Sequence, residues 1–509
     1  MILRNVSLSV LVSLAMFAIL QIMALRATGG VFEYPLDDVY IHLAIANSIA
    51  RGEYGINPGE YASAASSIIY PVILAPFSGL GIERFMPLVV NMLALIGIAI
   101  TWAKIVTRMV PNTALAVGLV GLGPLALNFA GVAMTGMEHA LHVWASLVIV
   151  LGLLRLTAGE RTTWGFFAAV ILAPLIRFEG MALALVACTI YGIYGSKSRA
   201  LLLAVAVIAP VAAFIAFLTA HDIGPLPTSV LAKQSLAGFG EFSLFDRMVI
   251  TLIKALQYST AYVALIASAV LLFISLVGFR TKRESVGWIA LIGSGCGFAH
   301  LLFGGFGWAF RYEAYVMAVL AATWVAIWTT LMPDRPLRSL LVLSFFAVPL
   351  YTYQTKVPRF APNSARAIHL QQEQMARFAQ DFLKAPVAVN DIGRVAWRNP
   401  NYVLDLYGLA SRQALALRQD ETSSQGWAGP LAQAKGVEAA LVYDFVFPHA
   451  FPATWTKVAT LESEKDMGWI VMREVDIYAT SPAYVDKVRS ALLAMSGSLP
   501  EGAKLVFLP

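Results

Sequence analysis

The stretch RNVSLSVLVSLAMFAILQIMALRATGGVFEYPLDD, Arg4 to Asp38, places one basic residue before an unbroken apolar run and two adjacent carboxylates shortly after it. About 20 apolar residues in helical form cross a hydrocarbon core of about 30 Å. Val6 to Leu25 therefore reads as a membrane span. Cytoplasmic loops are enriched in Lys and Arg, which puts Arg4 inside and the carboxylates outside. The run is long, lacks a convincing small-x-small cleavage site and leads directly into the acidic loop, so it reads as an uncleaved span rather than a signal peptide.

Further runs of this kind follow, near 86–108, 113–131, 139–156, 163–178, 180–195, 199–219, 249–279, 286–304, 311–331 and 337–353, for about 11 transmembrane helices. The 509 residues are 59% hydrophobic and only 13% charged, with a mean hydropathy of +0.72, so bilayer rather than water is the main solvent. Lys104 with Arg108, Arg155 with Arg161, Lys197 with Arg199, Arg280 with Lys282 and Arg283, and Arg335 with Arg338 fall in alternate turns. Those turns read as cytoplasmic. The net charge of +6 is thus explained by topology, and clusters between apolar runs, rather than along one face, exclude a nucleic-acid partner. Cys188 and Cys296 both lie inside apolar runs, where packing is their role. The long 249–279 run leaves room for a kink or a preceding interfacial helix.

From about Thr355 the pattern changes to short β-type runs, Val387–Val389, Tyr402–Leu406, Ala439–Tyr443 and Trp469–Val471, separated by helical and polar stretches. Residues 1–354 are the expected membrane domain, with a first extracytoplasmic loop at 27–85, and 355–509 a soluble α/β domain. Lys356-Val357-Pro358-Arg359 supplies the charge and proline of a junction. An odd number of spans places the second domain outside as well.

The tandem acids Asp37 and Asp38 begin a helical pattern that runs to Arg51. Asp favours the first turn of a helix, where it meets the positive end of the helix dipole. That accounts for one of them, whereas adjacent like charges repel unless a proton, a metal or a cation offsets them. Capping and chemistry both remain open on this ground.

The run Asp37-Asp38-Val39-Tyr40-Ile41, then Ala50-Arg51-Gly52, Asn57-Pro58-Gly59-Glu60 and the small residues Ala62 to Ser67, resembles the first outer loop of GT-C membrane glycosyltransferases. The likeness is greatest to the terminal arabinofuranosyltransferase-like branch. Shorter segments agree: Thr135-Gly136-Met137-Glu138, Arg177-Phe178-Glu179-Gly180, Pro225-Leu226-Pro227-Thr228-Ser229 with Ala232-Lys233, and Arg311-Tyr312. So do Asn390-Asp391-Ile392-Gly393 and Leu404-Asp405-Leu406-Tyr407-Gly408-Leu409 in the soluble part. The sequence departs from the family pattern at His139, Phe178 and Thr228.

The resemblance implies a polytopic α-helical membrane protein of GT-C type with a C-terminal extracytoplasmic α/β domain. It further implies transfer of a sugar, arabinofuranose or another pentose among the choices, from a polyprenyl-phosphate donor to an envelope glycan, lipid or protein in a bacterial inner membrane. Asp37 would then be the general base and Asp38 would orient substrate or a divalent cation such as Mg, Mn or Ca, with their order open to reversal. Glu138 and Glu179 would bind sugar hydroxyls; Arg177, Lys233 and Arg311 would meet the donor phosphate, since a cation at the membrane edge is costly without an anion. Tyr40, His42, Glu60 and Tyr312 complete the expected substrate-binding set. His139 and His142 lack the zincin spacing and read as satisfied helix histidines. A transporter or flippase of lipid-linked glycans is the rival reading, although no paired halves are visible.

Overall fold

The computed structural model describes residues 1–509 except 230, 232–242, 334–336, 421–422, 448, 465 and 471. Helix α1 (Ile2–Ala27) is followed by the loop helices α2 (Asp38–Ala50) and α3 (Tyr70–Leu74). Then come α4 (Met86–Met109), α5 (Thr113–Ala126) with its continuation α6 (Phe129–Met134), α7 (His139–Thr157), α8 (Trp164–Ile176), α9 (Gly180–Tyr194) and α10 (Lys197–Ala220). After the undescribed segment lie α11 (Leu244–Ala255), α12 (Ser259–Arg280), α13 (Glu284–Phe303), α14 (Ala314–Leu331) and α15 (Leu337–Leu370). Among the described residues, eight helical segments are long and apolar enough to cross a membrane, with α5 and α6 counted as one; α8 and α9 are shorter apolar helices. The chain is a multi-pass membrane protein.

The long 249–279 run divides. Its first part lies in α11, where Ser243 and Asp246 form a capping box and Ala255 is the buried residue, and its second part is the span α12. Exposed Leu244 and Phe245 sit at the start of α11, as suits a helix lying along an interface rather than through it.

Helix α15 has 34 residues and is about 51 Å long at 1.5 Å per residue. The expected 354/355 division falls inside it, and Lys356-Val357-Pro358-Arg359 is helical rather than a loop. Packing explains this. Val357, Ala361, Ser364, Ala365 and Ile368 recur at helical spacing and are all buried, so the apolar stripe holds the helix through its prolines.

The C-terminal part adds α16 (Gln372–Arg377), α17 (Gly393–Ala396), α18 (Arg412–Gln419), α19 (Ala428–Ala434) and α20 (Val485–Ser496) around a six-stranded sheet. Its strands are β1 (Val387–Val389), β2 (Val403–Asp405), β3 (Ala439–Val442), β4 (Thr456–Ser463), β5 (Glu474–Ala479) and β6 (Ala503–Phe507), in the order β2-β1-β3-β5-β4-β6. β1 runs parallel to β2 and β3, and the remaining pairs are antiparallel. Of the four expected strands, the described part of the run at Trp469 is not one; Val471 lies outside the described residues. The Trp469 backbone N–H donates to Ser364 Oγ at 2.7 Å and its ring packs on Phe360, so a tertiary contact holds it in a turn while β5 begins at Glu474.

One apolar core joins the first loop to this domain. Leu36, Val39, Tyr40 and Ile41 share it with Val387, Val389, Ile392, Trp397 and Ile477. Asn57 reinforces the junction, its amide bonding both the N–H (2.9 Å) and the C=O (3.0 Å) of Val403 on the β2 edge. At the opposite end of the bundle Arg108 and Arg155 converge on Glu160, where a basic cluster was expected.

Candidate active site

Glu138, in the turn before α7, is fully buried and accepts from Ser66 Oγ (2.7 Å) and Arg177 Nη1 (2.9 Å); His42 Nε2 lies 3.3 Å away. Burial pushes its carboxyl up, but His139, His42 and Arg177 outweigh that and hold it well below the usual range. Arg177 uses its other edge on Glu179, through Nε (3.1 Å) and Nη2 (2.5 Å). Against the effect of burial, this pairing brings the Glu179 carboxyl down to about 2. Gly136 makes the turn possible. Its φ is +71°, and a Cβ there would sit 2.6 Å from the Tyr34 ring.

Tyr312 joins this network to the next. The Arg177 guanidinium lies 5.8 Å from its ring centroid and that of Arg311 5.1 Å. Arg311 is buried and pairs through Nη2 with Asp38, whose side chain is 34% exposed. Its Nε and Nη1 have no partner among the described residues. Leaving the N–H groups of a buried guanidinium dry and unpaired is costly, and an anion is the chemical class that would satisfy them. The preceding backbone is strained into position: Trp308, Ala309 and Phe310 have φ of 41°, 64° and 53°, and Glu313 accepts the Gly307 N–H at 3.0 Å.

Asp37 and Asp38 part company. Asp37 stands at the N-cap of α2 but makes no cap bond to its own helix. Its oxygens instead accept the backbone N–H groups of Gly393 (2.7 Å) and Arg394 (2.8 Å), closing the start of α17 in the soluble domain. Burial and the Asp391 carboxylate push Asp37 up to about 8, against the pull of those two N–H groups. Asp391 is itself raised by burial, although Gln372 and Tyr443 donate to it.

Beside this cluster an apolar cavity of about 610 Å³ runs between α9 and α13. Leu183, Val186, Ile292 and Phe303 line its walls, and Glu179, His300 and Tyr315 line its polar end. His300 Nδ1 is 3.2 Å from Tyr315 Oη, and His142 stacks on Tyr315 with centroids 4.3 Å apart.

The expected site residues thus divide. Asp38, His42, Glu138, Arg177, Glu179, Arg311 and Tyr312 come together. Tyr40 lies in the domain junction, where its hydroxyl bonds Glu33 and its ring stacks at 5.4 Å from Trp397. Glu60 also bridges domains, to Tyr402 Oη (2.8 Å) and to Lys435. Lys233 lies outside the described residues. Ser66, His300, Tyr315 and Asp391 were not foreseen as site residues. Ser66 and Asp391 stood inside quoted segments, whereas nothing around the two α13–α14 residues signalled them. Among the described residues no three His, Cys, Asp or Glu side chains are placed to hold a metal ion, and no step below passes through a metal.

Residues 363–480 match the family model described as "Domain of unknown function (DUF8728)". No curated protein matches the chain. Among solved structures it is similar to the apo form of the Archaeoglobus fulgidus oligosaccharyltransferase, with 11% identity, a TM-score of 0.46, and coverage of 96% of this chain and 78% of that one. It is also similar to the oligosaccharyltransferase AglB from Archaeoglobus fulgidus in complex with an inhibitory peptide and a dolichol-phosphate, with 11% identity, a TM-score of 0.40, and coverage of 94% and 77%.

Proposed function

We propose that this chain is a GT-C-type membrane glycosyltransferase that moves a sugar from a polyprenyl phosphate to a hydroxyl of an envelope glycan, lipid or protein on the extracytoplasmic face of a bacterial inner membrane. The observation that carries this reading is the Asp38–Arg311 pair. A partly exposed carboxylate faces a buried guanidinium with two uncommitted nitrogens, and Tyr312, Arg177 and Glu179 connect the pair to an apolar groove. The groove takes the isoprenoid chain, Arg311 takes the phosphate, and Asp38 faces the acceptor.

In the transfer, Asp38 removes the acceptor proton as the acceptor oxygen bonds to the anomeric carbon. The bond from that carbon to the phosphate oxygen breaks, and the polyprenyl phosphate leaves with its charge met by Arg311. The sequence resemblance named Asp37 as base. Its oxygens are held by two backbone N–H groups, and this favours the reversed order, with Asp38 as base and Asp37 as the anchor of the soluble domain. Arg177 is engaged on both edges by Glu138 and Glu179 and is a positioning residue in this scheme. The resemblance puts arabinofuranose or another pentose among the candidate sugars.

The test follows transfer from radiolabelled polyprenyl-phosphate sugars, arabinofuranose included, by purified protein. Loss of a general base costs about 10²- to 10⁴-fold, so Asp38→Asn is expected to fall in that range. Asp37→Asn retains far more activity. Equal rates for Asp38→Asn and the unaltered protein remove the assignment.

A further inference from the structure

A second cavity, of about 810 Å³, opens on the soluble domain at the end of β3 and the start of β5. Its floor is the face of β5 that carries Asp476 and Tyr478; the opposite face, with Val475 and Ile477, is buried in the core. One wall is the segment after β3, with Asp444 and Phe445, and Phe451 forms another. Phe451 packs 5.4 Å from Tyr478, while Phe445 stands 63% exposed. An exposed phenyl ring beside carboxylates, over a concave surface, suits a ligand with alternating C–H faces and hydroxyl groups. The C–H faces lie on the rings, and the hydroxyls donate to the carboxylates.

Charge narrows the class of ligand. Asp444, Glu474 and Asp476 face the cavity against Arg473, with Lys457 bound to Asp476 at 2.7 Å, so no surplus of positive charge is available for an anionic chain. Position completes the argument. Tyr443 lines the same cavity and donates to Asp391, the carboxylate that raises Asp37. Tyr443 thus links the lining of the cavity to the junction that carries the tandem acids.

We infer that this aromatic and acidic groove binds an uncharged oligosaccharide, the growing end of the acceptor glycan, and feeds it toward Asp38. The inference rests on the proposed transferase reading for the word acceptor, but not for the binding itself. Binding of four neutral hexasaccharides (α-1,5-arabinan, β-1,4-glucan, α-1,6-mannan and β-1,3-galactan) and of hexagalacturonate is measured by calorimetry on the full chain in nanodiscs. At least one neutral oligosaccharide is expected to bind, more tightly than hexagalacturonate.

Phe445→Ala, at an exposed position, is expected to weaken that binding about tenfold, as is Asp444→Asn, while thermal unfolding stays unchanged. Absence of binding by all four neutral chains, preference for hexagalacturonate, or indifference to both groove substitutions overturns the inference. Retained glycan binding with no transfer from any polyprenyl-phosphate sugar would sink the transferase reading and leave the groove standing.

Discussion

At the scale of single residues, adjacency in sequence has not made Asp37 and Asp38 alike. One carboxylate is spent on two backbone N–H groups of another domain and the other faces a guanidinium. Arg311 tests the division. Arg311→Lys keeps the charge but removes the planar fork that serves Asp38 and leaves Nε and Nη1 for an anion. Transfer is expected to fall on the order of 100-fold, with the melting temperature moved much less. Glu138→Gln should behave in the opposite way. It removes the charge opposite Arg177 in a buried site, and a broken buried pair costs about 3–5 kcal/mol, so a large drop in thermal stability should accompany lost activity.

At the scale of elements, the informative piece is the turn before α14. Three successive non-glycine residues in the left-handed region cost on the order of 1 kcal/mol each, and their geometry delivers Arg311 and Tyr312 to the site. Ala309→Val puts a β-branched side chain at φ 64° and is expected to cost about 1–3 kcal/mol in a denaturation experiment. Ala309→Gly should lack that penalty. A result in which both substitutions are equally damaging would show that the methyl group's burial, not the backbone, is what matters there. The elements also show where pattern reading stops. The spans were legible because about 20 apolar residues in a row have one solution in a bilayer. For the 249–279 run the pattern left a kink and a preceding interfacial helix both open, since an interfacial helix and a span are both apolar and differ in where the chain lets them lie. Likewise Lys356–Arg359 carries the marks of a linker, yet the buried stripe from Val357 to Ile368 keeps it helical.

At the scale of the whole molecule, the soluble domain is docked on the first loop through Asp37, Asn57, Glu60 and a shared core. Gly393 is needed for the fit, as a Cβ there would fall 2.2 Å from the Asp37 carbonyl oxygen. Gly393→Ala is expected to loosen the docking, seen as faster proteolysis near the end of α15. The dock is also sensitive to pH. Burial and Asp391 raise Asp37 from an ordinary 3.8 to about 8, so the folded form binds the proton better than the unfolded one. The stabilising contribution is complete below about pH 4 and is lost as pH rises through about 8. Between pH 6 and 9 the melting temperature should fall, and Asp391→Asn should flatten that decline by removing the like charge. An unchanged slope in the variant would count against the pairing.

By itself the sequence determined the membrane class, the orientation signals and the acidic loop, because each is a local matter of hydrophobic length, charge placement or a short ordered motif. Three of the strands were equally local. Only the tertiary structure decided which acid faces Arg311, why Tyr40 and Glu60 belong to a domain junction, and that Ser66, His300 and Tyr315 gather at the site. Those facts depend on residues tens or hundreds of positions apart meeting across helices, and a hydrogen bond between Asp37 and Gly393 leaves no periodic trace in either segment.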